Sequence, residues 1–246
     1  MSIKTKGLVL RVTNLKESDR VLKILTPNGI ISAYAKAARN IKNKKFAATD
    51  RFCFSDFVLY EGKDLYIVDE ASENEVFFGL RNDVERLSLA QYFADVLISV
   101  CPETGDTNDL FRLSLNTFFF LSEGKKDIEL IKTIFELKTM CYAGFMPNLV
   151  ACAECAVFED EMLFDMANGL IYCSECYSLA PYGSKKLNRS MLAIMRHISF
   201  SDIEKLFSFK ASEENIRAVS EITEKYLEIK TERSFKSLEF YYSVKV

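Results

Sequence analysis

Hydrophobic and polar positions alternate in short runs over the first 80 residues of the chain. In Gly7–Val12, Leu8, Leu10 and Val12 alternate with Val9 and Arg11, the period of a half-buried strand. A second run, Arg20–Thr26, enters Pro27-Asn28-Gly29 and continues as a third, Ile30–Lys36. Asn-Gly between apolar runs predicts a tight hairpin, because both positions tolerate positive φ. After a basic stretch with almost no strand pattern, 37–51, the runs Phe52–Tyr60 and Leu65–Val68 predict a second hairpin. Five short strands joined by tight turns point to a small barrel or sandwich.

Beyond residue 80 the period changes to that of helices. Leu87–Cys101 is almost continuously apolar and stops at Pro102. Asp109–Leu121 carries Phe118-Phe119-Phe120. Asp127–Ala143 sets Ile128, Ile131, Ile134, Phe135 and Leu137 near one side, with Gly144 and Pro147 to end it. Leu187–His197 and Ser212–Ile229 are also helical in pattern. The second of these has Ser212 as N-cap, Glu213 and Glu214 in the first turn, and a stripe of Ile216, Val219, Ile222 and Tyr226. The expected organisation is a barrel over 1–80 and a mainly helical domain over 81–246.

Composition adds little to this picture until charge is placed along it. Hydrophobic residues make up 49% and charged residues 27% of the 246, ordinary for a globular chain. The net charge of −3 hides an asymmetry. Residues 1–50 hold eleven Lys/Arg against Glu17, Asp19 and Asp50, a local +8, which leaves −11 on the other 196. A basic end on an acidic chain suggests a localised polyanion site, although a solvated lysine-rich surface gives the same count. No apolar run is long enough to span a bilayer, and the first residues lack the apolar core of a secretory signal. A cytoplasmic protein that binds no membrane is expected, and in that compartment thiols stay reduced.

Four of the seven cysteines form two C-x-x-C pairs, Cys152/Cys155 and Cys173/Cys176, with 17 residues between them. Each pair aims two sulfurs at one centre from a single turn, and this separation suits a structural four-thiolate zinc site within 149–178. The intervening Leu163–Asp165 and Gly169–Tyr172 supply strands for a hairpin. A redox dithiol needs a strand-to-helix setting that is absent here. The only histidine, His197, falls in a helical pattern and reads as packed or exposed rather than ligating. A closed four-sulfur site activates no water. Cys53, Cys101 and Cys141 stand alone in apolar runs and read as core.

Lys36, Arg39, Lys42, Lys44 and Lys45 place five cations within ten residues between the third and fourth strands. Along a flexible loop they can follow a phosphate backbone and release counterions. Tyr34, Phe46, Phe52 and Phe54 lie beside them. Phe52 and Phe54 read as core, whereas Tyr34 and Phe46 are open to either core or base stacking. No Gly-rich phosphate cradle accompanies the loop.

The chain resembles the bacterial RecO recombination mediators over nearly its whole length. The resemblance rests on Gly7–Arg11, Glu17–Arg20, Leu25-Thr26, and Ala35–Arg39 followed by Lys42–Lys45. It continues through Phe135–Lys138, Gly144–Pro147, Cys152–Cys155 and Lys236-Ser237. It departs from that family's pattern at Ala37 and Ala156, where glycine is usual, and at Asn40, where a second arginine is usual. The resemblance implies an N-terminal OB-fold, a helical domain and an embedded zinc element. It implies binding of single- and double-stranded DNA, strand annealing, and loading of RecA on DNA coated by single-stranded-DNA-binding protein (SSB). RecR and the acidic SSB C-terminal tail are the implied partners, with RecA indirect and the nucleoid the implied location. By position it implies Arg20, Lys36, Arg39, Lys42, Lys44 and Lys45 as DNA or RecR contacts and the four cysteines as ligands of one zinc. No enzymatic activity is expected. Two other classes compete: a zinc-containing adaptor that binds only protein, and a metal-dependent nuclease subunit using Asp160, Glu161 and Asp165, which otherwise read as a solvated hairpin face.

Overall fold

The computed structural model describes residues 2–158 and 161–245. Five strands close into a barrel: β1 (Ser2–Leu15), β2 (Asp19–Thr26), β3 (Gly29–Ala35), β4 (Phe54–Glu61) and β5 (Tyr66–Glu75), with helix α1 (Lys45–Ala48) between β3 and β4. The order around the barrel is β1-β2-β3-β5-β4, with β4 returning to β1. All pairs are antiparallel except β3 and β5, which run parallel through Ala33↔Tyr66 and Tyr34↔Ile67. This is the five-stranded Greek-key closure of an OB-fold. Its interior is filled by Val9, Leu22, Ile24, Ala33, Ala35, Phe57, Leu59 and Val68.

Strand β1 is longer than its apolar core predicts, and its burial is not alternating. A bulge between Val9 and Arg11 breaks the pleat. Val9 joins the barrel core, while Leu8 and Leu10 are fully buried outside that cluster on a strand that packs against α2 (Val84–Val100). The β2–β3 turn also differs from expectation. Thr26 pairs with Gly29, so Pro27-Asn28 is the loop, and only Gly29 has positive φ, at 117°. A Cβ there would sit 2.5 Å from the Glu103 carbonyl oxygen, so glycine is required twice over.

That turn is fastened to the connection after α2. The Ile30 amide donates to the Pro102 carbonyl (3.0 Å), Thr107 N–H to the Pro27 carbonyl (2.9 Å), and the Gly29 amide to Thr107 Oγ1 (2.8 Å). Phe52 and Phe54 turn to α3 (Asn108–Glu123), with ring centroids 5.3 Å from Phe118 and 5.9 Å from Phe111. Consequently one compact unit comprises residues 1–125 with 235–246, the latter carrying α7 (Lys236–Val244), and the other comprises 126–234. A division at residue 80 falls inside the first.

The second unit holds α4 (Ile128–Tyr142), α5 (Arg189–Phe200) and α6 (Glu213–Thr231), with a small sheet β7-β6-β8 from β6 (Met162–Asp165), β7 (Leu170–Tyr172) and β8 (Lys185–Leu187). The N-caps Asp127, Asn188 and Ser212 accept from the amides three residues on. Ile216, Val219, Ile222 and Tyr226 are buried as their spacing predicts. No helix of the described residues is long and apolar enough to cross a membrane.

Candidate nucleic-acid interface and metal centre

The basic segment between β3 and α1 is a pinned structure rather than a flexible loop. Asp19 and Arg20, neighbours at the start of β2, hold its two ends. Asp19 accepts from the Ala37 amide (2.8 Å), Tyr34 Oη (2.6 Å) and Ser18 Oγ (3.2 Å). Arg20 Nη1 donates to the Phe46 carbonyl (2.8 Å) and Thr49 Oγ1 (3.1 Å), and its guanidinium lies 5.1 Å from the Phe46 ring centroid. Between these ends Asn40 and Asn43 cap local turns, accepting from Lys42 N–H (3.0 Å) and Lys45 N–H (2.9 Å).

This organisation sorts the eight residues singled out in the sequence. Lys36, Arg39, Lys42 and Lys44 are exposed. Arg39 is partly engaged, giving one N–H to the Lys16 carbonyl (3.2 Å). Lys45 is half-buried, with its ammonium on the Val68 carbonyl (3.2 Å). Tyr34 and Phe46 are half-buried, each bound into the clamp. Arg20 is only 7% exposed, with its guanidinium turned inward to the loop.

The Ala37 N–H lowers the Asp19 carboxyl first, and the Tyr34 hydroxyl second. Asp19 must therefore hold the loop above the ordinary carboxylate range and release it as pH falls through the lowered value. Ala37 itself has φ of 54°, a left-handed conformation that disfavours side chains, and the bond to Asp19 compensates for it. Asp19→Ala is expected to abolish slow exchange of the Ala37 amide while leaving the β1–β2 amides protected; unchanged exchange at Ala37 would contradict the clamp.

The four cysteines converge. Their sulfurs all lie within 4.8 Å of one another, and Cys155 Sγ is 3.5 Å from Cys173 Sγ. Four thiolates about 2.3 Å from a tetrahedral zinc stand about 3.8 Å apart, so the cluster has the right scale. The first knuckle is locked by the Ala156 amide on the Cys152 carbonyl (3.0 Å) and the Cys152 amide on Val157 O (2.9 Å). It is tied to β7 by Ala153 N–H on the Ile171 carbonyl (2.8 Å). Burial raises the Cys152 thiol, but N–H groups of Cys155, Cys173 and Glu154 outweigh it and bring it to about 6, whereas the crowded thiols of Cys155 and Cys176 are pushed up, Cys176 chiefly by Cys173.

Among the described residues, the acidic side chains of the same element are not gathered around a divalent-ion site. Asp165 is buried rather than solvated, and accepts from the Ala167 and Asn168 amides and from Asn168 Nδ2 (2.6 Å) to shape the β6–β7 turn. Glu161 pairs with Lys186 at 3.0 Å. Asp160 lies outside the described residues. Among the described residues, the four cysteines are the group of Cys, His, Asp or Glu side chains close enough to hold a metal. His197 engages Ser201 and the Lys205 carbonyl and packs on Phe209 with centroids 4.6 Å apart.

The sequence matches the family description "Recombination protein O N terminal" over residues 1–77 and "Recombination protein O C terminal" over 81–239. The chain belongs to the RecO family. Its similarity to curated members runs end to end. The DNA repair protein RecO of Acetivibrio thermocellus is 32% identical over 240 residues, 97% of this chain and 95% of that one. That of Alkaliphilus metalliredigens is 33% identical over 242 residues, 97% and 98% of the two chains. That of Clostridium novyi is 26% identical over 239.

Proposed function

We propose that this RecO-family chain is a DNA-binding mediator of recombinational repair. It binds single- and double-stranded DNA through the barrel, promotes annealing, and with RecR assists RecA on strands coated by SSB, whose acidic C-terminal tail it engages. The observation that carries the reading is the clamped basic segment. Lys36, Lys42 and Lys44 project from a backbone fixed at both ends, so cations are presented to a phosphate chain with little ordering left to do on binding. Neutralising phosphates on two strands at once weakens their repulsion and lets base pairing proceed. The four cysteines hold one structural zinc, a closed site that braces the fold, and the protein performs no covalent chemistry.

Fluorescence anisotropy with a short oligo-dT tests the reading. Affinity should fall steeply with salt. The double substitution Lys42→Ala, Lys44→Ala should make the salt slope shallower by about two, with Lys45 left intact because its ammonium is structural. An unchanged slope would remove the segment from the site, and binding of RecR without any DNA binding would favour the protein-only adaptor.

A further inference from the structure

Beside the basic segment, a cleft of about 840 Å³ opens between Asn43–Lys45 and the strands β1, β4 and β5. Its lining carries Lys4, Lys6 and Lys44 together with Asp56, Asp69 and Glu70. All six are exposed, and among the described residues none makes an ion pair, although Lys6 and Asp56 are directly paired across β1 and β4. Opposite charges in that position ordinarily engage each other. Here both signs remain available to a ligand.

The strand geometry adds a second observation. Val58 pairs with Glu70 and Leu59 with Val68, so Asp69 is the extra residue of a β-bulge that lies in the cleft. A bulge re-aims a side chain and interrupts the ladder, and such features concentrate at binding sites. The cleft volume is that of a ligand seat, about 300–1,000 Å³. It shares Lys44 with the surface cations of the preceding segment.

A ligand that carries anions together with neutral hydrogen-bond donors satisfies both signs. Single-stranded nucleic acid does: its phosphates meet ammonium groups, and the exocyclic amines of cytosine, adenine and guanine donate to carboxylates. We propose that this cleft seats bases of a single strand, with Lys4, Lys6 and Lys44 on the phosphates and Asp69 and Glu70 accepting from base amino groups. This rests on the DNA-binding reading and extends it to a specificity: thymine, which has no exocyclic amine, is disfavoured.

Anisotropy titrations at pH 8 with oligo-dC and oligo-dT of equal length provide the test. The wild-type chain should bind oligo-dC at least about threefold tighter. Lys4→Ala with Lys6→Ala should weaken both oligonucleotides about tenfold at low salt and flatten the salt slope by about two. Asp69→Ala with Glu70→Ala should bring the two oligonucleotides to parity without weakening oligo-dT, since loss of negative charge cannot harm phosphate binding. The glutamine pair Lys4→Gln, Lys6→Gln serves if the alanine pair lowers circular-dichroism signal. Equal wild-type affinities, or lysine variants that bind as wild type, would overturn the cleft and leave the basic segment standing. Binding of neither oligonucleotide by the wild type would overturn the DNA-binding reading itself.

Discussion

Lys132→Met is expected to lower stability by about 3–5 kcal/mol, because it strands a buried carboxylate. Lys132 and Glu136 are both fully buried on α4, with Nζ 3.0 Å from Oε1. Lys132 Nζ also lies 2.8 Å from Glu224 Oε2 and 3.2 Å from Ser220 Oγ on α6. Glu136 accepts in turn from Thr223 Oγ1 (2.7 Å), and Glu129 accepts from Ser220 Oγ. Burial raises the Glu136 carboxyl above its usual range, against the pull of Lys132. Between the ordinary carboxylate value and the raised one the folded state keeps a proton that the unfolded chain has released, so this group's contribution falls as pH rises through that interval. Without the lysine that interval widens upward. Urea unfolding followed by far-UV circular dichroism should show a larger deficit for Lys132→Met at pH 8 than at pH 5. Adding Glu136→Leu should recover most of it, since an apolar pair of similar volume often matches a buried ion pair. A deficit below about 1 kcal/mol at both pH values would show that water reaches Glu136.

This network marks where the sequence misleads. A stripe of Ile131, Ile134, Phe135 and Leu137 makes α4 look one-sided, and Lys132 with Glu136 at i,i+4 looks like a surface pair. In the fold, every residue from Ile131 to Met140 is buried, because α4 packs against both α5 and α6. Periodicity reports which face prefers burial; it is silent on a polar face that another helix covers with matching charge. The direction of Arg20 is hidden for the same reason. Charge count along a segment says nothing about direction, and only the fold shows that Arg20 points inward to Phe46 and Thr49.

The strands were legible because they carry a period-2 pattern and turn residues, which left barrel or sandwich open until the family resemblance chose the barrel, and the cysteine hairpin was legible because ligand spacing is set by tetrahedral geometry. Strand β8 was not, since Lys185-Lys186-Leu187 has no pattern of its own and exists by pairing with β6. Helix α7 buries only Leu238 and Tyr241, an i,i+3 pair obscured in the sequence by the apolar Phe240 and Tyr242 that stay exposed. Ala37 and Ala156 both have left-handed backbone, at φ 54° and 59°, a conformation that glycine adopts more readily and that the hydrophobic pattern does not signal. Lys4 and Lys6 were missed because they precede the apolar core of β1, and their nearness to Lys44 is a product of barrel closure.

The largest effect is expected at Cys173. The barrel has its interior within its own strands, so its folding does not depend on the thiols. The small sheet is different. Met162, Phe164, Ile171 and Leu187 are fully buried, yet they sit on strands of three or four residues, too short to hold together unaided. What fastens them is the pair of knuckles, one bonded to Ile171 through Ala153 and the other following directly on Tyr172. If the four sulfurs hold zinc, the binding free energy becomes folding free energy, about 10–16 kcal/mol in finger peptides and larger than any single packing contribution here. Reduced protein should contain about one zinc per chain. Cys173→Ser should release it, expose the 150–187 region to proteolysis and lower the thermal midpoint, while oligo-dT affinity stays within about twofold of wild type. Cys155→Ser, at an exposed position, should act in the same direction, which separates metal loss from a packing defect at buried Cys173. Zinc-free protein that melts like the zinc-bound form would mean that hydrophobic contacts alone close the element.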